Sequence, residues 1–274
     1  MKTITKSYIS GLLKPRIAES HKGNYGHALL IAGNKGKMGA AVIAATACLR
    51  SGTGLLTVNV PTAERIILQT SIPEAMLMMR EDHKYEWASF SGIGIGPGIG
   101  LEKTEKRLLE SLLKSGLPPI VFDADALNIF AGNKKLFNKI PKGSIITPHP
   151  KEFDRIFGEH SLVEDRIATA LKVSREFDIV VVLKGHKTLV TYKGESWINT
   201  SGNAGLAKGG SGDALTGMIT AFLSQGYEPF VSSKIGVYLH GVAADITLEK
   251  QSMESMLITD VIENIGNAFK WLDK

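Results

Sequence analysis

The sequence predicts an α/β fold, a mostly parallel sheet with helices on both faces. Short apolar runs of strand length alternate with helix-length segments from end to end, which is the pattern of successive βα units. Several runs stop at a glycine, a proline or a polar residue, so the unusual residues gather where strands end. At 274 residues and 43% hydrophobic, the chain has enough apolar surface for one large core. No Pro/Ser-rich linker and no fixed-period repeat divides it, so residues 1–274 are read as one domain.

The elements follow in order. ALLIA at 28–32 stops at Gly33 and reads as a buried strand. Residues 39–51 are Ala-rich, end before Gly52, and read as a helix packed closely on the sheet. Residues 55–60 form the next strand, ended by Pro61. Residues 93–95 form a third, closed by Gly96, Pro97 and Gly98. Residues 102–114 carry leucines at helical spacing opposite a charged face. Residues 119–123 are a strand, and a short helix starts at Ala124. Residues 144–147 are a strand broken by Pro148 and Pro150. Residues 164–177 are helical, and IVVVL at 179–183 is the clearest central strand. Residues 188–192 and 196–198 pair antiparallel around Lys193-Gly194. Residues 213–223, 229–249 and 258–271 are three closing helices.

Composition excludes several classes. A single cysteine allows no internal disulfide and no CxxC metal pattern. The longest apolar stretch, 38–49, is too short to span a bilayer, which needs about 18–20 residues. MKTITKSYISGLLKPR lacks the sustained apolar core of a signal peptide. The expectation is a cytoplasmic protein without a membrane partner. The net charge of +5 is scattered and aromatics are 7%, so no nucleic-acid surface is expected. No HExxH or HxH pattern points to a zinc site.

In open α/β sheets, ligands gather at the carboxyl ends of strands. Residues 33–39, 96–100, 123–128, 147–150 and 184–187 all follow strands. The strongest motif is NAGLAKGGSGD at 203–213, ahead of an apolar run. Glycines there let backbone N–H groups approach an anion, and the helix start adds free donors. Asp213 stands at that helix start; the competing reading makes it a cap and nothing more. Four glycines in the eight residues before Asp213 exceed what a cap requires. The segment is not a Walker A loop, because Lys208 precedes the glycine pair. Nor does GIGPGIG at 94–100 complete a Rossmann GxGxxG.

Taken together, HKGNYGHALLIAG (21–33), MGAAVIAA (38–45), RSGTGLLTV (50–58), GIGPGIG (94–100), FDADALN (122–128), TPHPKEF (147–153), VVLKGHKTLV (181–190) and NAGLAKGGSGDALTGMI (203–219) resemble the ADP- or ATP-dependent NAD(P)H-hydrate dehydratases of the ribokinase-like superfamily. The resemblance covers 21 to about 245 and is closest to the stand-alone form, without an epimerase domain. It implies a three-layer α/β/α fold. It also implies a reaction: ADP, or ATP, with Mg²⁺ phosphorylates the ring hydroxyl of hydrated NADH or NADPH (NADHX, NADPHX). Phosphate then leaves and NAD(P)H is restored. Homo-oligomers, tetramers among them, are implied as well.

Residue by residue, the resemblance makes Asp213 the catalytic base, also in contact with substrate. It assigns Lys184, Gly185, His186, Lys187, Thr188 and Gly212 to the nucleotide. It assigns Ala40, Ala41, Gly98 and His149 to the substrate. Each has a plainer reading. Lys184 and Lys187 are then strand-end lysines, Ala40 and Ala41 are close helix–sheet packing, and His149 is a structural group stiffened by Pro148 and Pro150. Asp123 and Asp125 either bind substrate hydroxyls or Mg²⁺, or form an Asp-rich turn. Glu152 either meets Mg²⁺ through water or starts a helix. Ser211 stands where the family often has Thr, and His186 where Asn is common. The alternative functions are a ribokinase-like kinase of a small alcohol such as a vitamin precursor, and a nucleotide sensor on the same scaffold. TPHPKEF and LKGHKT argue against the kinase, and an intact Asp213 against the sensor.

Overall fold

Strands drawn from residues 2 to 199 meet in a single sheet, and the helices after them cover it. The computed structural model describes residues 1–82 and 85–273. Its strands are β1 (Lys2–Thr3), β2 (His27–Ile31), β3 (Leu55–Val60), β4 (Met76–Met79), β5 (Gly92–Ile95), β6 (Ile120–Phe122), β7 (Ile145–Ile146), β8 (Val180–Leu183), β9 (Thr188–Tyr192) and β10 (Glu195–Asn199). They lie in the order β1-β10-β9-β8-β7-β6-β5-β2-β3-β4. The sheet is parallel except at β9, which runs antiparallel to β8 and β10.

Side chains alternate between two layers, as the strand period requires. Val121, Val180 and Val182 pack with the layer of helices Ser211–Ser224 and Pro229–Thr247. Ile120, Phe122, Val181 and Leu183 pack with the layer of helices Lys103–Lys114, Ala124–Ala131 and Pro150–Phe157. A third cluster joins Ala28 and Leu30 to the helix Met38–Arg50 and to Val58 and Val60. This is the expected α/β/α sandwich.

The helix Ser211–Ser224 crosses Met38–Arg50 at backbone distance. A Cβ on Gly217 would lie 2.0 Å from the Ala44 carbonyl oxygen. The same helix lies on β5, where a Cβ on Gly94 would stand 2.3 Å from Thr220 Oγ1. The glycines of GIGI are therefore the seat of this helix, and its first turn reaches over the strand ends.

Some elements differ from the expectation. The sequence pattern does not predict β1, the helix Lys6–Ser10, the helix Arg65–Ser71 or the edge strand β4. MLMM neither alternates nor carries β-branched residues, so its strand comes from pairing with β3. The helix expected over 258–271 is two, Ile258–Glu263 and Ile265–Leu272. Between them Asn264 donates from Nδ2 to the Asp260 carbonyl and to Thr247 Oγ1, both at 3.1 Å. Such local side-chain bonds compete with the helix ladder. These helices bury Ile258, Val261, Ile262, Ile265 and Leu272 and so close the core. Among the described residues no helix is long and apolar enough to cross a membrane.

Candidate active site

The strand order reverses beside β2, which lies between β3 and β5. The chain leaves β2 for β3 and β4 on one side and returns to β5 on the other, which opens a crevice at their carboxyl ends. Gly98 lies there in the left-handed region, with φ of 61°. A Cβ on it would meet Ala40 Cβ and the Lys37 carbonyl oxygen, both at 3.0 Å. Ala40 is half-exposed at this crevice, whereas Ala41 is fully buried among the core alanines of its helix. The Ala41 side chain therefore packs and does not face the crevice. Asp125 ties the crevice together: its Oδ2 accepts from the Gly100 N–H at 2.9 Å and lies 3.4 Å from Lys37 Nζ.

Next along the rim stands Asp123, at the end of β6 and 1% exposed. Its Oδ1 accepts from Lys184 Nζ at 2.8 Å, and its Oδ2 accepts from Thr216 Oγ1 at 2.7 Å. Lys184 follows β8 and also reaches Glu152 Oε2 at 3.9 Å. Burial alone would pull its ammonium down, but the carboxylates of Asp123 and Glu152 hold it above its ordinary value. The lysine is charged, and the pair is nearly enclosed. A Cβ on Gly212 would lie 3.1 Å from Lys184 Nζ, so the absence of a side chain there leaves the ammonium open to a ligand.

Asp213 is in the first turn of Ser211–Ser224, but it is not the cap. That position is Gly210, in the left-handed region at φ 93°, and no side chain caps the helix. The Ser211 N–H donates to the Lys208 carbonyl at 3.4 Å, and those of Gly212 and Asp213 are left free for an anion. Among the described residues no group hydrogen-bonds the Asp213 carboxylate. Burial, then the neighbouring Asp123 charge, push it up to about 6, with Lys184 opposing. A half-buried, unpartnered carboxylate poised near neutrality is the profile of a general base. Lys208, by contrast, turns away: its Nζ donates to the carbonyls of Glu254 at 2.5 Å and Met256 at 2.7 Å, bracing the glycine loop.

His149 caps a helix and also faces the cleft. Its Nδ1 accepts from the N–H groups of Lys151 at 3.1 Å and Glu152 at 3.2 Å, capping the helix Pro150–Phe157. The ring proton is then on Nε2, 3.3 Å from Glu152 Oε1. Burial, then the Lys184 charge, hold the imidazole below its ordinary value. Its free face lines a cleft of about 570 Å³, together with Lys184, Gly185, His186, Thr188, Gly212 and the 199–207 segment. Lys187 is exposed and does not line it. A larger hollow of about 950 Å³ lies at the far ends of the helices. There Arg16 and Lys14 donate to the carbonyls of Gly52 and Gly226, which is capping chemistry.

Residues 28–267 match the family model described as NAD(P)H-hydrate dehydratase. The chain belongs to that family. An ADP-dependent (S)-NAD(P)H-hydrate dehydratase of Listeria monocytogenes is 35% identical to it, over 98% of this chain and 97% of the other. A bifunctional NAD(P)H-hydrate repair enzyme of Moorella thermoacetica is 34% identical over 99% of this chain. The chain spans 54% of that relative. The solved structure of the Bacillus subtilis ADP/ATP-dependent NAD(P)H-hydrate dehydratase, co-crystallized with ATP and Mg²⁺, superposes with a TM-score of 0.90. It is 32% identical and is matched over 99% of this chain and 98% of that one. The ribokinase-like fold expected from the motifs is the fold of this dehydratase-family chain.

Sequence reasoning did not single out three residues that shape this family site. Thr216 shares Asp123 with Lys184. Asp245 accepts from the Gly202 N–H at 2.8 Å and from Asn203 Nδ2 at 3.1 Å, which clamps the turn over the cleft. His240 lines the cleft from the middle of the helix Pro229–Thr247. Thr216 carries a weak signal, one helical turn after Asp213 and so on the same face. The other two carry none: the partners of Asp245 are far away in the chain, and His240 meets the cleft only through the fold.

Proposed function

We propose that the chain is an ADP-dependent (S)-NAD(P)H-hydrate dehydratase, a carbon–oxygen lyase that repairs NADHX and NADPHX. The observation that carries this reading is the unpartnered Asp213 carboxylate beside Lys184 and an uncapped helix start. Asp213 takes the proton of the ring hydroxyl as its oxygen attacks the β-phosphorus of ADP. The bond from that phosphorus to the bridging oxygen breaks, and AMP leaves. The Lys184 ammonium and the Gly212 N–H stabilise the charge that moves with the phosphoryl group. Phosphate then departs with the C–O bonding pair, the neighbouring ring carbon loses a proton, and the double bond of NAD(P)H re-forms.

In this reading Gly185, His186 and Thr188 hold the nucleotide, with Lys187 at its outer edge. Gly98, Ala40 and the Nε2–H of His149 meet the hydrated ring. Ala41 contributes through helix packing. Among the described residues no group of three or more His, Cys, Asp or Glu side chains could hold a metal alone. Mg²⁺ usually arrives on substrate phosphates and keeps water ligands. Glu152, nearly buried beside Lys184, would be the carboxylate to meet it through water. The ion would neutralise phosphate charge. We also propose a cytoplasmic homo-oligomer. Exposed Ile66 and Ile67 on the helix Arg65–Ser71 and Met76 on the edge strand β4 offer it apolar surface, and sedimentation of the purified chain tests the oligomer.

The test is direct. The protein is mixed with chemically hydrated NADH, Mg²⁺ and ADP or ATP, and the reduced-nicotinamide absorbance is followed. Return of absorbance with ADP, with AMP and phosphate released, supports the reading. Recovery with ATP alone keeps the reaction and replaces the donor. No recovery with either nucleotide refutes it and turns the search to small alcohols as kinase substrates.

A further inference from the structure

Most polar side chains in the inner cleft are already engaged. Asn199 Nδ2 donates to the Ser201 carbonyl at 3.1 Å. Ser201 Oγ lies 3.0 Å from both Asn199 Oδ1 and the Tyr238 carbonyl. Asn203 accepts from the Gly205 N–H at 3.0 Å and donates to Asp245. His240 differs. Among the described residues four buried side-chain polar atoms have no partner, and of these His240 Nε2 belongs to a residue lining the cleft. The residue is 6% exposed. Burial, then the nearby Lys184 charge, push its imidazole down to about 4, so the ring is neutral at working pH. It offers one N–H and one lone pair, and no charge.

Its place in the cleft narrows what it meets. Lys184 and Gly212 line the same cleft as the ring, so the phosphate end is close. The next residue, Gly241, carries the 201–202 turn directly: a Cβ there would stand 2.3 Å from Ser201 Oγ. Leu215 and Val237 add apolar wall to the same cleft. A ring between a phosphate anchor and an apolar wall faces the sugar that joins phosphate to base. Buried polar groups are normally paired, and an unpaired one calls for an explanation.

We infer that His240 is a specificity-determining residue for the nucleotide, hydrogen-bonding a ribose hydroxyl of the phosphoryl donor. This rests on the proposed use of an adenine nucleotide. The bond gives a partner to a ring that otherwise has none, so it favours ribonucleotides over deoxyribonucleotides.

The experiment measures binding of ADP, 2′-deoxy-ADP and 3′-deoxy-ADP by calorimetry, without hydrate present, to the wild-type chain, His240→Leu and His240→Asn. Wild type should lose about tenfold in affinity for one of the deoxy analogues. His240→Leu should bind ADP about tenfold more weakly and no longer tell that analogue from ADP. His240→Asn, which keeps a donor and an acceptor, should recover part of the loss. In turnover, the KM for ADP should rise with kcat held within about threefold, because the ring touches no reacting atom. A folded His240→Leu with wild-type affinity for ADP overturns the inference, as does a deoxy penalty that persists undiminished in it. If His240→Leu fails to fold, an unchanged deoxy penalty in His240→Asn overturns it equally. A wild-type chain that binds no adenine nucleotide refutes the functional reading itself, a separate result.

Discussion

Asp213 is asked to be charged where charge is unwelcome. Burial and Asp123 raise its folded value to about 6 from 3.8. In that interval the native state binds a proton that the unfolded chain does not, so stability falls as pH rises. The cost is absent near pH 4 and complete above about pH 6. Asp213→Asn should therefore be more stable than wild type at pH 8, by about 1–3 kcal/mol. That gain should shrink as pH falls through 6 and vanish near 4; urea titrations at several pH values read it. A gain of the same size at every pH would show that it does not come from the buried charge. The same substitution should lower turnover by about 10²–10⁴-fold while ADP still binds. In the wild type, kcat/KM should fall below about pH 6 as the base protonates. A residue kept at a stability cost for its reactivity is a familiar pattern of functional sites.

At the scale of elements, the site depends on how closely one helix is seated. Ser211–Ser224 rests on Met38–Arg50 through Gly217 and on β5 through Gly94. Gly217→Ala would drive a methyl to 2.0 Å from the Ala44 carbonyl oxygen, with backbone on both sides. Overpacking of this kind should cost about 3 kcal/mol, read as a lower urea midpoint. It should also reduce turnover in the protein that remains folded, because Asp213 moves with its helix. Equal specific activity in the folded fraction would show that the first turn is positioned by other contacts. The same contrast explains what was legible in the sequence. Gly98, His149, Lys184 and Asp213 follow strands or open helices, where residue type and position carry a meaning readable from neighbours. Thr216, His240 and Asp245 sit inside helices, and their roles come from Asp123, the cleft and the 202–203 turn. The unpredicted edge strands have the same origin: β1 and β4 are strands because β10 and β3 lie beside them. Ala41 shows the converse, a rim position in sequence whose helix phase turns it into the core.

On the scale of the whole molecule, the proposed reaction has the sheet separate two ligands and let them meet once. The crevice between β2 and β5 carries Gly98, Ala40, Lys37 and Asp125. The cleft beyond β8 carries Gly185, His186, Thr188 and the 199–207 segment. Between them stand Lys184, Asp123 and Asp213, joined to both sides by charge: Asp213 feels Asp123 and Lys184, and also Asp125. This division predicts separable footprints. In hydrogen exchange, ADP with Mg²⁺ should slow amides in 184–188 and 199–207. Hydrated NADH alone should slow those in 33–41 and 96–100. The first turn of Ser211–Ser224 should respond to either ligand and most to both, since phosphoryl transfer requires them to approach across it. Each ligand should also raise the unfolding midpoint through its own binding energy, whether or not the other is present. If ADP protected 33–41 and left 184–188 unchanged, the two sides would be assigned the wrong way round. The antiparallel turn of β9 and β10 would then be a brace for the sheet edge and no part of a nucleotide cleft.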